Sequence, residues 1–172
     1  SKSILQCFQD NREYWRLLMV VKTYTPSLAE VLTKVNNAKT KDKKIAILKE
    51  NDSEALRAII KSSFDPRIVW ALPEGAVPYK PNEAPEGTEH TLLSQEARRL
   101  YHFIQGADNV TPRAQKENMY IQMLEGLHED EAEILVYAKD KKLHQKIKGL
   151  SHEVVKTAFG WNSDYVRLDS VK

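Results

Sequence analysis

The sequence predicts a compact, all-α, multi-helix domain, and three observations support this fold class. Apolar residues recur every three or four positions along nearly the whole chain, which is the period of an amphipathic helix. The alternation of β-branched residues that marks strands is scarce. The length of 172 residues, with 41% hydrophobic and 29% charged residues, is ordinary for one globular domain.

The first half of the chain divides into four helical stretches. Residues 1–24 predict an N-terminal amphipathic helix, which can be an appendage to a core spanning residues 25–161. Thr25 and Pro26 form a typical helix start for the second stretch. Thr40 and Ser53 predict the N-caps of the third and fourth stretches. The apolar faces of these last three helices comprise Leu28, Val31, Leu32 and Val35, then Ile45, Ile47 and Leu48, then Ala55, Leu56, Ile59 and Ile60.

A long loop and a second group of helices follow. Residues 73–90 contain prolines 73, 78, 81 and 85 and glycines 75 and 87, which predict a Pro-rich surface loop with little to bury. Helix is predicted again from about Thr91 to Gln105, with Leu92, Leu93, Leu100, Tyr101, Phe103 and Ile104 packing inward. Thr111 and Pro112, the acidic cluster Glu129–Glu131, and Ser151 each predict a further helix start. Residues 162–172 read as a tail.

The net charge of +2 conceals an uneven distribution of charge along the chain. Positions 38 to 49 contain five lysines and one aspartate. Positions 139 to 156 contain six lysines, one aspartate and one glutamate. Lysine clusters of this kind can follow the phosphates of a nucleic acid, although they are also typical of a solvated helix surface.

We find no residue pattern that predicts catalysis, a cofactor or a metal. The six glycines form no phosphate-binding loop, and the five histidines have no ligand-like spacing. His128 beside Glu129 and Asp130 could suggest proton transfer, but capping of a helix is the more ordinary role for this trio. Cys7, the single cysteine, excludes an intrachain disulfide and indicates a reducing, cytoplasmic location. No run of the roughly 20 apolar residues needed to span a membrane occurs.

Two parts of the chain resemble the DNA-binding domain of ATP-dependent DNA ligases of the tailed-phage type. The first is the run from Thr40 to Asn51, which follows a TK-x-x-K-x-x-IL-x-x-N pattern, and the apolar helix Glu54–Ile60 after it. The second comprises Glu133-Ile-Leu135, Lys142-Leu143, Gly149-Leu-Ser151 and Val154-Val155-Lys156. The chain also resembles an uncharacterised protein family of T-even-like and cyanobacterial phages, which implies a stand-alone copy of the domain in an infected host cell.

The resemblance implies DNA binding without ligation. The nucleophilic lysine motif K-x-D-G of ligases is absent, and the chain leaves no room for their catalytic domains. We therefore expect a non-catalytic protein that grips the backbone of double-stranded DNA with little sequence preference. The expected DNA-binding residues are Lys39, Lys41, Lys43, Lys44, Lys141, Lys142, Lys146, Lys148 and Lys156.

A protein-interaction or adaptor module of a phage replication, transcription or host-takeover complex is the alternative. Its expected partner surface comprises Tyr14 and Trp15 on the N-terminal helix, where an aromatic stripe could fill a groove of a partner. The same surface would include Glu83 and Glu86 of the acidic loop.

Overall fold

The computed structural model describes residues 26–85 and 90–166 and confirms the all-α class. Its helices are α1 (Leu28–Asn37), α2 (Lys41–Glu50), α3 (Glu54–Phe64), α4 (Leu93–Glu96), α5 (Arg113–Gly126), α6 (Glu129–Lys139), α7 (Leu143–Lys146) and α8 (His152–Phe159), with a 3₁₀ helix at Ala97–Phe103 between α4 and α5. In the described ranges, extended backbone pairs only at isolated bridges such as Trp70 with Ile104. The predicted N-terminal helix and residues 167–172 of the predicted tail lie outside the described residues.

Three of the predicted N-caps are confirmed. The hydroxyl oxygens of Thr40, Ser53 and Ser151 accept hydrogen bonds from the backbone N–H groups of Lys43, Leu56 and Val154. Each cap satisfies an amide that has no partner within its own helix. Local side-chain chemistry therefore fixes where α2, α3 and α8 begin.

The predicted helix starts at Thr25 and Thr111 are wrong. Ser27 caps α1, because its hydroxyl accepts from the Glu30 N–H, and α5 begins after Pro112 with no side-chain cap. Thr111 instead donates its backbone N–H to the Asp108 carboxylate at 3.1 Å. Thr111 therefore belongs to the turn that Asp108 stabilises before α5 and does not cap the helix.

The helices enclose one apolar core. Helix α2 packs against both α1 and α8, and α6 contacts α1, α3, α5 and α7. Side chains that are fully buried include Leu32, Leu48, Leu56, Ile59, Leu124 and Leu135. They occur at the helical spacing that the sequence showed, because burying one apolar stripe per helix is what removes most nonpolar surface from water.

The predicted helix from Thr91 to Gln105 is shorter and tighter than expected. It is one α-helical turn followed by the 3₁₀ helix, and Leu92 and Tyr101 are about half exposed rather than packed inward. A 3₁₀ helix has three residues per turn, so the buried positions shift to Leu100 and Phe103, three residues apart.

The Pro-rich segment is held against the core more firmly than its composition predicted. Val77 and Tyr79 pack against the core, and the Lys80 N–H donates to Glu125 of α5 at 3.1 Å. The buried ammonium of Lys139 donates to the carbonyls of Pro73 and Gly75 at 2.7 and 3.2 Å. The expectation of little to bury in this loop is therefore wrong for residues 73–80.

Candidate functional site

The turn between α1 and α2 meets the turn between α7 and α8. The Lys148 N–H donates to the side-chain oxygen of Asn36 at 2.8 Å, although 112 positions separate the two residues. We call this place, formed by Asn36, Lys39, Lys43, Lys44, Lys148 and Gly149, the basic junction. It brings the start of the first lysine-rich run close to the middle of the second.

Lys44 holds the junction from the inside. Its ammonium donates to the Val35 carbonyl at 2.7 Å, an acceptor near the C-terminal end of α1. A cation at this end of a helix is favoured by the helix dipole and by the carbonyls left without partners there.

Gly149 makes room for the Lys44 side chain. A Cβ built on Gly149 would lie 2.6 Å from Lys44 Cε, and the φ angle of +77° lies in the left-handed region. Only glycine adopts this conformation without strain. The turn from Gly149 to Ser151 therefore depends on glycine at its first position to accommodate Lys44.

The first turns of α2 and α8 lie beside the junction and against each other. The ammonium of Lys41 in α2 forms an ion pair with the Glu153 carboxylate in α8. Both helices begin at capped N-termini, where backbone N–H groups give a partial positive charge. The local field at this surface therefore adds helix dipoles to the lysine charges, a combination that suits phosphate groups.

Five of the nine predicted lysines belong to this surface. Lys39, Lys43 and Lys148 are exposed, Lys41 is exposed but paired with Glu153, and Lys44 is half-buried against α1. Lys156 lies one turn beyond His152 on α8, with its ammonium 5.0 Å from the centre of the Tyr165 ring.

The other three predicted lysines lie elsewhere. Lys141 donates its ammonium to the carbonyls of Asp65 and Ile68, each at 2.5 Å, and burial lowers the pKa of Lys141. Lys142 lies 3.6 Å from the Glu74 carboxylate, and Lys146 forms an ion pair with Glu133 at 2.8 Å. The second lysine-rich run is therefore divided between structural contacts and the basic junction.

The residues expected at a protein-partner surface are mostly outside the described ranges. Tyr14, Trp15 and Glu86 lie there, as does Cys7, whereas Glu83 is described and exposed. His128 is the N-cap of α6, since its Nδ1 accepts from the Asp130 N–H at 3.2 Å, and this confirms the capping interpretation.

Residues 26–85 and 90–166 contain no group of three metal-ligating side chains close enough together to hold an ion. None of their helices has both the length and the apolar character required to cross a membrane.

A family of unknown function, DUF6433, matches residues 31–145, about two thirds of the chain. The chain belongs to this family. No curated protein and no solved structure matches it significantly. The span shared with DUF6433 includes Asn36 and Lys39–Lys44 and ends before Lys148. Four of the six residues of the basic junction thus fall inside the DUF6433 match, and Lys148 and Gly149 follow it.

Proposed function

We propose that the protein is a non-catalytic DNA-binding protein that holds the backbone of double-stranded DNA at the basic junction. The observation that carries the proposal is the meeting of two distant lysine-rich runs at the Lys148–Asn36 hydrogen bond. Exposed ammonium groups from both runs lie beside two helix N-termini, and their positive charge is complementary to the negative charge of a phosphate backbone.

The proposed mode of binding carries little sequence preference. Lysine is a flexible point charge that positions a protein on phosphates and seldom reads bases. The three exposed lysines and Lys41 predict about three or four phosphate contacts, for which log Kd would change with log salt with a slope of about 3 to 4. Lys141, Lys142 and Lys146 are left out of the proposed interface because each is engaged elsewhere.

The resemblances noted in the sequence support the same proposal. In ligase DNA-binding domains, helices of this kind grip duplex backbone across the minor groove. The Thr40–Asn51 pattern that carries the resemblance includes three junction or neighbouring lysines, Lys41, Lys43 and Lys44. A phage-encoded, stand-alone domain of this type would bind DNA in the infected cell without sealing it.

Fluorescence anisotropy with labelled DNA tests the proposal directly. Intact duplex, nicked duplex and single-stranded DNA of unrelated sequences are titrated at several salt concentrations. We expect similar affinities for unrelated duplexes and a steep loss of binding as salt rises. Absence of binding at low salt, or binding that persists unchanged at high salt, would contradict the proposal.

A protein-interaction module is a second candidate, favoured by apolar exposure around the loop before α5. Val110 is 92% exposed and Tyr101 is 51% exposed, so both side chains offer apolar surface that a partner could cover. If Val110→Asp abolished capture of a specific partner while the protein failed to bind any DNA, this function would replace the first.

A further inference from the structure

Two histidines border the basic junction and share one aromatic neighbour. The rings of His152 and His144 lie 5.1 and 6.4 Å from the ring of Phe64, both edge-on, and both histidines are exposed. His152 opens α8 and directly precedes Glu153, the partner of Lys41. His144 lies in α7, four positions before Lys148.

The groups that face His152 are mainly cationic or neutral. Lys156 in α8 and His144 in α7 lie close enough to His152 for their charges to lower its pKa. The Phe64 ring contacts His152 from α3. The Tyr165 hydroxyl, from the segment after α8, is hydrogen-bonded to His152 Nδ1. The acidic groups nearby are Glu153, which is engaged with Lys41, and Asp65, which accepts hydrogen bonds from Arg67.

The hydrogen bond to Tyr165 suits both protonation states of His152. A hydroxyl can donate to the neutral ring and accept from the protonated one. With Nδ1 engaged in this way, Nε2 carries the ring's other N–H and can donate to an anion in either state. Protonation therefore adds a positive charge at this surface without requiring the ring to turn.

We infer that His144 and His152 are part of the phosphate-binding surface and that the protein takes up protons there when it binds a nucleic acid. This inference rests on the proposed function and goes beyond it, since it adds two residues to the interface and makes its affinity depend on pH. The two imidazoles against Phe64, with Lys156 one turn further along α8, are the geometry that carries it.

The direction of the pH dependence follows from linkage. Partial desolvation of the ring, together with the charges of Lys156 and His144, lowers the pKa of His152 in the free protein. Bound phosphates would offset the charge of Lys156 and raise that pKa, so the complex holds more protons than the free protein near neutral pH. Affinity must then rise as pH falls through the bound-state pKa and level off below the free-state value.

The test measures duplex binding at fixed salt between about pH 6 and pH 8, with calorimetry in buffers of different ionisation heat to count the protons taken up. We expect binding roughly tenfold tighter at the lower pH. A variant with His144→Gln and His152→Gln should lose the pH dependence, so that its affinity for duplex changes much less between the two pH values than that of the parent. His128→Asn, which keeps an N-cap residue on α6, is the matched control and should retain it.

The outcomes separate this inference from the proposed function. Binding whose affinity is the same at both pH values, or a pH dependence that survives in the double variant, overturns the inference and leaves the proposed function standing. No binding to DNA at either pH at low salt overturns both. If the double variant does not fold, NMR titration of the parent decides, because His152 must show a higher pKa with DNA than without it.

Discussion

Gly149 and Lys44 are the residues whose fit closes the basic junction, so they give the prediction at the scale of single residues. Gly149→Ala places a methyl group against the Lys44 side chain and forces a non-glycine residue to adopt φ of +77°. The end of a lysine side chain can move away, but it then gives up its bond to the Val35 carbonyl. We expect a loss of about 2 kcal/mol in the free energy of unfolding, measured by urea denaturation.

Gly106 supplies the matched control. Its φ is +84°, and a Cβ at this position would have nothing within 4 Å. Gly106→Ala should therefore cost only the backbone term, about 1 kcal/mol. In a Lys44→Ala background, which removes both the carbons that clash and the bond to Val35, the excess cost at Gly149 should disappear. Equal costs for the two glycines in both backgrounds would mean that Lys44 does not hold the junction.

The sequence predicts single residues well where the chemistry is local. Thr40, Ser53 and Ser151 were predicted as N-caps because each depends on an amide three residues ahead. The role of Lys44 could not be predicted, because it depends on Val35 at the end of another helix and on a glycine about a hundred positions away. From the sequence, Lys44 was predicted to contact phosphate only because it is a lysine in a lysine-rich run.

At the scale of elements, Lys139 fastens the Pro-rich segment to α6. Its side chain is 1% exposed, and the ammonium also contacts Asp140 at 2.6 Å. Lys139→Met leaves the carbonyls of Pro73 and Gly75 without this donor, and the Asp140 carboxylate keeps its hydrogen bond from the Gly75 N–H at 3.1 Å. We expect a loss of roughly 3 kcal/mol in the free energy of unfolding and faster hydrogen exchange at Gly75.

Lys142→Met is the comparison for Lys139→Met. Its side chain is 47% exposed, and its nearest carboxylate is 3.6 Å away, so the loss should stay below about 1 kcal/mol. A Lys139 variant as stable as this control would show that the remaining contacts of the segment, those of Val77, Tyr79 and the Lys80 N–H among them, are enough to hold it.

Asp108 organises the loop before α5 and gives that element a sensitivity to acid. Hydrogen bonds from His102, Thr111 and Val110 hold the pKa of Asp108 far below its usual range. An Asp108 that takes up a proton more readily when unfolded stabilises the fold above its unfolded pKa, near 4, and loses that contribution as pH falls.

Asp108→Asn tests this contribution. The variant should be less stable than the parent near neutral pH, and the difference between them should shrink as pH falls from about 5 to 2. Thermal unfolding over that range measures it. A difference that stays constant with pH would mean that the Asp108 charge does not contribute to the stability of the loop.

The elements were predicted where helical periodicity is long and failed where it is short. Helices α3, α5 and α6 each have ten or more residues and were found near their predicted positions. The stretch from about Thr91 to Gln105 was predicted as one α-helix because its six apolar residues fit that period, but it is one α-helical turn followed by a 3₁₀ helix. The buried pair Leu100 and Phe103 fits either kind of helix, since residues three apart lie on one face in both.

At the scale of the whole molecule, the proposed DNA-binding function depends on where the two lysine-rich runs meet. Charge along the sequence predicted two basic clusters, but it could not divide the lysines into those that hold the fold and those that face solvent. The structure makes that division: Lys139 and Lys141 serve the segment from Asp65 to Gly75, while Lys39, Lys43 and Lys148 stay exposed.

Binding of duplex DNA by two charge-matched double variants tests this central claim most directly. Lys43→Glu with Lys148→Glu reverses two charges at the basic junction, and Lys80→Glu with Lys142→Glu reverses two exposed charges away from it. At about 0.1 M salt, screening limits the range of electrostatic interactions to roughly 10 Å. Under these conditions we expect the affinity of the junction variant for duplex to fall at least about tenfold, and its log Kd to change less steeply with log salt. The other variant should bind like the parent, and both should melt as it does. Equal losses in the two variants, or no loss in the junction variant, would contradict the account.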